Sequence, residues 1–398
     1  MTTNEPLIFV IAGEPSGDGI GGRLMAALRQ QSGGRVRFAG VGGAAMSAEG
    51  LDSLFPMSEL SVMGVVEILP RAPKLLRRMR ETAAAIRDLR PAAVVSVDAP
   101  AFCFGVWRRL RGAGIPLIHY VAPTVWAWRP GRARKFAMTI DHLLTLLPFE
   151  PPYFEREGLG CTFVGHPVLE SGADAADGAG FRARHGLGEP GPVLGVLPGS
   201  RRGEVERLMP HFGAAVARLS DQFPDLEVVV PAVPALAPEI EAASRDWPVR
   251  AVVSSETEAK YDAMAACDAA IAASGTVSLE LALARVPMVI GYRLNPVTMA
   301  LAKRMVRVKY VNLINLLLDR PAVPELLQRE CRADRLAVAA ARLLDNETAR
   351  AEQLAAAGKA LAMLSVAGAT PSDRAAGIVL DLIAAAGDAD ETTTKVGT

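Results

Sequence analysis

The chain has 398 residues, 50% hydrophobic and 22% charged, and its 43 Lys and Arg balance 43 Asp and Glu. That composition belongs to a folded globular protein of about two or three domains, and zero net charge excludes a polycation that wraps nucleic acid by bulk attraction. Four scattered cysteines, Cys103, Cys161, Cys267 and Cys331, have no CxxC or paired His spacing, which argues against a zinc cage or a disulfide framework and fits a reducing compartment.

The opening MTTNEPLIFVIAGEPSGD has no basic leader region and only a short apolar run, so a secretory leader is not expected. Short β-branched runs then alternate with Ala, Leu and Arg-rich helical text, the pattern of an α/β fold with parallel sheets. Strands are predicted at 7–12, 36–40, 93–97, 116–121, 142–147 and 161–165, and again at 192–198, 226–232, 249–254, 269–274 and 287–292. The small, polar SGADAADGAG at 171–180 is expected to link two Rossmann-like domains that face each other across a ligand cleft. Strands are expected to stop by residue 333, leaving helical text to Ala386 and a polar, disordered end. No apolar stretch reaches the roughly 20 residues that cross a bilayer, so any membrane role is peripheral.

Gly17, Gly19 and Gly22 satisfy the dinucleotide pattern GxGxxG, which raises an NAD-type dehydrogenase. The first glycine lies too far past the strand, however, and the second strand ends at Gly40 without an acid for a ribose. In the alternative reading Ser16 or Asp18 caps the following helix, which leaves Glu14 at a strand end to bind a sugar hydroxyl or assist proton transfer. In LPGSRRGEVERL, Gly199 permits close backbone approach, Ser200 and the helix N-terminus donate to phosphate, and Arg201 adds fixed charge. ASGTVSLELA repeats the strand-Gly-helix form, with Ser274, Gly275 and Thr276 at the helix start and Glu280 one turn on. Together these loops suggest a nucleoside diphosphate. Trp126 and Trp128, with Arg129, Arg132, Arg134 and Lys135, form a single basic-aromatic cluster, too local for a nucleic-acid protein. His119 reads as a core residue inside a strand, and His166 sits at the end of the first domain.

The blocks AGEPSGDGIGG, GVGGAAM, SVMGVVEILP, VVSVDAPAF, YVAPTVWAWRPGRARK, FVGHPVLE, LPGSRRGEV, AASGTVSLE and VKYVNLINLLLDRPAVPELLQREC resemble, in order, the lipid-A-disaccharide synthases. The resemblance implies a GT-B glycosyltransferase with an N-terminal acceptor and membrane-facing domain at 1–170 and a UDP-sugar domain at 171–365. A helix at 366–387 would pack back or onto a partner subunit, and a disordered tail would occupy 388–398. It further implies transfer of 2,3-diacylglucosamine from UDP-2,3-diacylglucosamine to the 6-hydroxyl of 2,3-diacylglucosamine 1-phosphate, with inversion and release of UDP. Asp98, closing the strand AVVSVD, is the expected base, with Glu14 beside it in the catalytic set and helix capping as the competing role for Asp98. Ser200, Arg201, Gly275, Thr276, Glu280 and Asn315 are the expected UDP-site residues; Asn312 and Gln328 also fall in family blocks.

No metal and no cofactor are expected, since the one DxD, at Asp388 and Asp390, falls in the polar tail. Acylated substrates imply work at the cytoplasmic face of the inner membrane, by a cytoplasmic protein with no nucleic-acid partner, and leave a homodimer open. Met63, Val65, Val66, Leu69 and Arg71 are the expected acyl-chain or membrane contacts. The following segment places Leu75, Leu76, Met79, Ala83 and Ile86 on one helix face, beside Lys74, Arg77, Arg78 and Arg80, and reads as a helix packed on its own sheet with a solvated basic face. The competing readings are another UDP-N-acetylglucosamine transferase or 2-epimerase, and a nonenzymatic binder of UDP-sugar or lipid.

Overall fold

The computed structural model describes residues 5–60, 65–128, 130–256, 259–295 and 308–396, with the side chains of 65–71 and 388–396 outside that description. The chain divides into two compact units, Met1–Pro167 with Leu364–Thr398, and Val168–Met363.

The first unit runs β1 Leu7–Ala12, α1 Pro15–Gln31, β2 Arg37–Val41, α2 Ala44–Ala48, α3 Val65–Leu89, β3 Ala93–Val97, α4 Pro100–Leu110, β4 Leu117–Tyr120, α5 Arg132–Ala137, β5 His142–Thr145, α6 Pro152–Glu155 and β6 Gly160–Phe163. Its strands form one parallel sheet in the order β2-β1-β3-β4-β5-β6. The central strands are apolar without alternation because both faces are covered. Phe9 and Ile11 point into a core shared with α3 and α4 residues such as Ile86, Val106 and Trp107, while Ile8 and Val10 point to the opposite face and pack with Leu24 and Leu28 of α1.

The second unit runs α7 Gly178–His185, β7 Val193–Leu197, α8 Arg202–Gln222, β8 Glu227–Pro231, α9 Ala237–Ser244, β9 Arg250–Ser254, α10 Lys260–Ala265, β10 Ala269–Ala272, α11 Val277–Leu283, β11 Met288–Tyr292, α12 Leu313–Leu318, β12 Glu325–Leu327, α13 Ala333–Asp345 and α14 Glu347–Met363. Its parallel sheet has the order β12-β11-β10-β7-β8-β9, the doubly wound arrangement. The three-residue β12 is absent from the sequence reading because ELL is too short for periodicity to register.

The segment expected to be a linker is built into the second unit. Asp177 caps α7 by accepting from the Gly180 amide, its own amide donates to Asp262, and a Cβ at Gly178 would lie 2.4 Å from the Ala265 backbone. Small residues there permit close helix packing, not flexibility. Past Met363 the chain returns to the first unit, where α15 Pro371–Val396 lays Ala375, Ala376 and Val379 against the α1 face. Its helix continues through residues 388–396, read from sequence as disordered, because no proline interrupts the helix started upstream.

The capping expectation for α1 changes. Glu14 is its N-cap residue, and no side chain caps the helix. Buried Asp18 instead accepts from the amides of Gly43, Ala45 and Met46 at 2.7–3.1 Å, holding the start of α2. Gly21 and Gly22, the latter the third glycine of the GxGxxG pattern, let these helices touch: a Cβ at Gly21 would meet Met46 Sδ at 2.7 Å, and one at Gly22 the Ala45 carbonyl at 3.0 Å. Asp18→Ala should therefore lower the unfolding free energy by about 1–3 kcal/mol, read as a reduced urea midpoint with unchanged slope. An unchanged midpoint would contradict the cap.

Candidate functional site

In each sheet the strand order reverses at one place, and such points gather ligands beyond the carboxyl ends of the strands. In the first unit that place lies between β1 and β3, where Ala12 pairs with Val97; in the second it lies between β7 and β10, where Leu197 pairs with Ala272. The expected catalytic residues follow the first pair in sequence, and most of the expected UDP residues follow the second.

After β3 the backbone turns sharply, with Asp98 at φ 52° and Ala99 at φ 48°, both left-handed. Aspartate tolerates that conformation, but Ala99 pays about 1–2 kcal/mol for it. Pro100 disfavours the right-handed helical region for Ala99, and the Ala99 carbonyl accepts from the amides of Phe102 and Cys103. Ala99 is the N-cap residue of α4 and makes no side-chain cap hydrogen bond. Across the notch, Gly13 leads β1 into Glu14; a Cβ on Gly13 would lie 2.6 Å from that of Ala99. Gly17 passes beneath the same turn, its Cβ position 3.1 Å from the Val97 carbonyl. Glu14 and Asp98 are half-buried on these two turns.

The neighbouring strand ends stiffen this region. Buried His119 shares a 2.9 Å hydrogen bond with Ser96 Oγ and packs edge-on to Trp107, and burial pushes its pKa down to about 3. It is a neutral core residue. His166 is likewise buried, with its pKa lowered to about 4, and its amide donates to the Leu364 carbonyl, joining the segments where the chain leaves and re-enters the unit. Trp126 donates to Glu150 at 3.1 Å and packs against Phe149, while Trp128 donates to Thr124 and lies under Arg132. Glu150, which sequence reasoning missed, also accepts from the amides of Leu146 and Leu147; burial raises its pKa to about 7.

In the second unit Gly199, at φ 109°, approaches Glu204 so closely that a Cβ would lie 2.5 Å from Oε2. Ser200 and Arg201 are exposed at the start of the 21-residue α8, and Arg201 lies 3.5 Å from Glu204. Glu204 also accepts from Tyr292, whose pKa rises to about 12 through burial and that carboxylate. After β10, Gly275 and Thr276 are exposed, Ser274 donates to the Val311 carbonyl, and Glu280 Oε1 accepts from Lys260 at 2.7 Å and Tyr261 at 3.3 Å. Among the described contacts Glu280 Oε2 accepts none.

Asn315, expected at the UDP site, is buried and bonded within its own segment. Its amide nitrogen donates to the Val323 carbonyl and to Glu325, and its oxygen accepts from the Val323 amide, so the group is engaged in holding its own loop. Asn312 caps α12. Glu325 organises this segment by accepting from the amides of Val311 and Asn312 and from Asn315. A lone acid in VPELL was the only sequence signal for it. Gln328 accepts from the Leu294 amide.

Met63 lies outside the described residues, and Val65, Val66, Leu69 and Arg71 belong to α3 with side chains outside the description. Farther along α3, Leu75, Met79, Ala83 and Ile86 pack in the core, whereas Leu76 is 44% exposed and leaves the expected apolar face. Arg78 is not a solvated cation: it bonds Glu59 at 2.7 Å and Glu81 at 2.6 Å and lies over Phe55. That bond, with Lys74 nearby, holds Glu59 down to about 2. Arg77 and Arg80 remain exposed. Among the described residues, no helix is long and apolar enough to cross a membrane, no cluster of three or more His, Cys, Asp or Glu forms, and all four cysteines are unbonded.

Two outcomes are expected. Asn315→Ala should lower stability by about 1–3 kcal/mol, because the Val323 amide and carbonyl lose their partner; calorimetry of the purified variant measures it. Glu150 titrates higher folded than unfolded, so its contribution is full below its ordinary value of 4.5 and is lost as pH rises through about 7. Thermal unfolding from pH 4.5 to 8 should show a flatter pH dependence in Glu150→Gln than in the parent.

The profile of the lipid-A-disaccharide synthetase family matches residues 8–370. The lipid-A-disaccharide synthase of Rhodospirillum centenum is 60% identical over 379 residues, 95% of this chain and 94% of the relative. That of Paramagnetospirillum magneticum is 52% identical, covering 95% of this chain and 97% of the relative. The solved glycotransferase of kitacinnamycin matches with a TM-score of 0.64 at 15% identity, over 96% of this chain and 100% of that one, a likeness of fold. The fold is of the GT-B type, and with the family profile spanning both sheets and both switch points, the chain belongs to the lipid-A-disaccharide synthetase family.

Proposed function

We propose that this protein is an inverting glycosyltransferase that moves 2,3-diacylglucosamine from UDP-2,3-diacylglucosamine to the 6-hydroxyl of 2,3-diacylglucosamine 1-phosphate. The products are the β-1,6-linked disaccharide 1-phosphate and UDP. The observation that carries this reading is Asp98 at the first switch point, on a strained left-handed turn, in a chain of this family. Asp98 takes the proton of the acceptor hydroxyl as its oxygen bonds the anomeric carbon, and the bond from that carbon to the diphosphate oxygen breaks. Glu14, on the adjoining turn, orients the acceptor through a sugar hydroxyl.

The departing diphosphate is held by Ser200, by the backbone amides that open α8 and by the Arg201 guanidinium, with Gly275 and Thr276 beside it. Glu280 accepts from the nucleotide ribose through Oε2, with Lys260 and Tyr261 fixing its carboxylate. Asn315 acts indirectly, by setting Glu325 and the Val311–Asn312 backbone. Because both substrates carry acyl chains, the protein works peripherally at the cytoplasmic face of the inner membrane, and the start of α3, with Met63 before it, provides the lipid contact.

The test is UDP release in mixed micelles containing both lipids. Release should need both substrates and persist in EDTA; no release despite measurable UDP binding would overturn the assigned reaction. Asp98→Asn should lower turnover by about 10²- to 10⁴-fold while UDP binding is retained, and normal turnover in that variant would remove Asp98 from the base role. Arg201→Ala should lower kcat by roughly 10²- to 10³-fold.

A further inference from the structure

A groove of about 480 Å³ lies in the first unit between the start of α4 and α5, within the ~300–1,000 Å³ range of small-molecule sites. Pro100, Ala101 and Phe104 form one wall, and Phe136 forms part of the other. Pro100 is two residues past Asp98, so the groove begins where the strained turn ends. Ala101 and Phe104 are one helical turn apart and share a face. Phe136 is rigidly seated, packed edge-on to Trp107 at 5.4 Å. Arg132 and Lys135, also one turn apart, bring two cations to this apolar lining. Arg132 lies 5.6 Å over the Trp128 ring, which aims its guanidinium, and Lys135 is exposed with no described ion pair.

An apolar lining with two cations in it matches a phosphate ester that carries a hydrocarbon chain. A bare nucleotide would leave the Pro100, Ala101 and Phe104 wall without a complement, and a neutral lipid would leave the cations without one. We propose that this groove is the acceptor subsite: Arg132 and Lys135 bind the sugar phosphate, and one acyl chain lies along Ala101, Phe104 and Phe136. The assignment rests on the reaction proposed above and adds to it the side chains that select a phosphorylated, acylated acceptor. Arg132 takes phosphate oxygens in a bidentate fork, and Lys135 acts as a point charge.

Direct binding separates the subsite from the reaction. Dodecyl phosphate, kept below its micellar concentration, should bind the parent protein at least about tenfold more tightly than Lys135→Glu, and more tightly than either dodecyl maltoside or inorganic phosphate binds the parent. Ala101→Trp, which fills the groove from an exposed position, should weaken dodecyl phosphate and leave UDP binding unchanged. In micelle kinetics Lys135→Glu should raise the acceptor KM about tenfold with the donor KM unchanged. Equal dodecyl phosphate binding in parent, Lys135→Glu and Ala101→Trp would overturn the subsite, as would an unchanged acceptor KM. Selective binding without UDP release in the parent would support an amphiphile site while defeating the assigned reaction. Normal UDP release with groove variants indistinguishable from the parent would do the reverse.

Discussion

The turn that carries Asp98 depends on crowding at one notch. Where β1 and β3 run side by side and their chains then leave in opposite senses, two turns must share the space above the sheet. Gly13 gives up its side chain so that Ala99 can enter, and Ala99 adopts a left-handed conformation because Pro100 and the first turn of α4 leave it little else. Asp98 is carried into the notch as a result. Its placement is imposed by the backbone on both sides, and the surrounding buried strands and helices absorb the strain.

The second unit meets the same topological problem with different residues. Its notch is lined by exposed, small or flexible groups, Ser200, Gly275 and Thr276, with charge from Arg201, while the acids nearby are tied down. Glu204 is buried and bonded to Tyr292, Glu280 is clamped by Lys260, and Glu325 gathers backbone amides around Val311. Each of those carboxylates is engaged by a neighbouring donor. Under the proposed reaction the two notches differ in sign: a proton acceptor in one, anion donors in the other.

Much of this was legible in the residues because parallel strands buried on both faces leave uninterrupted apolar runs, and the loops after β1, β3, β7 and β10 carry glycine beside polar side chains. The sequence pattern did not reveal what those side chains bond. Asp18 reads as a cap of its own helix, yet its oxygens serve α2, about 25 residues on, since tertiary proximity is invisible to local spacing. Asn315 carries a family pattern but is engaged internally, and Arg78 reads as one of a solvated series while Glu59 and Phe55 hold it. β12 and Glu150 escaped notice for a related reason, being defined by partners from distant segments.

The return of the chain to its first unit bears on how the protein is made. Val379 and its neighbours complete the apolar layer over α1, yet they are translated after every residue of the second unit. During synthesis the first sheet emerges before the second unit and stays unsealed on that face until α15 follows, whereas the intervening unit has its whole sequence in hand earlier. Of the two units, the one whose strands come earlier in the sequence is therefore the one that completes its core later.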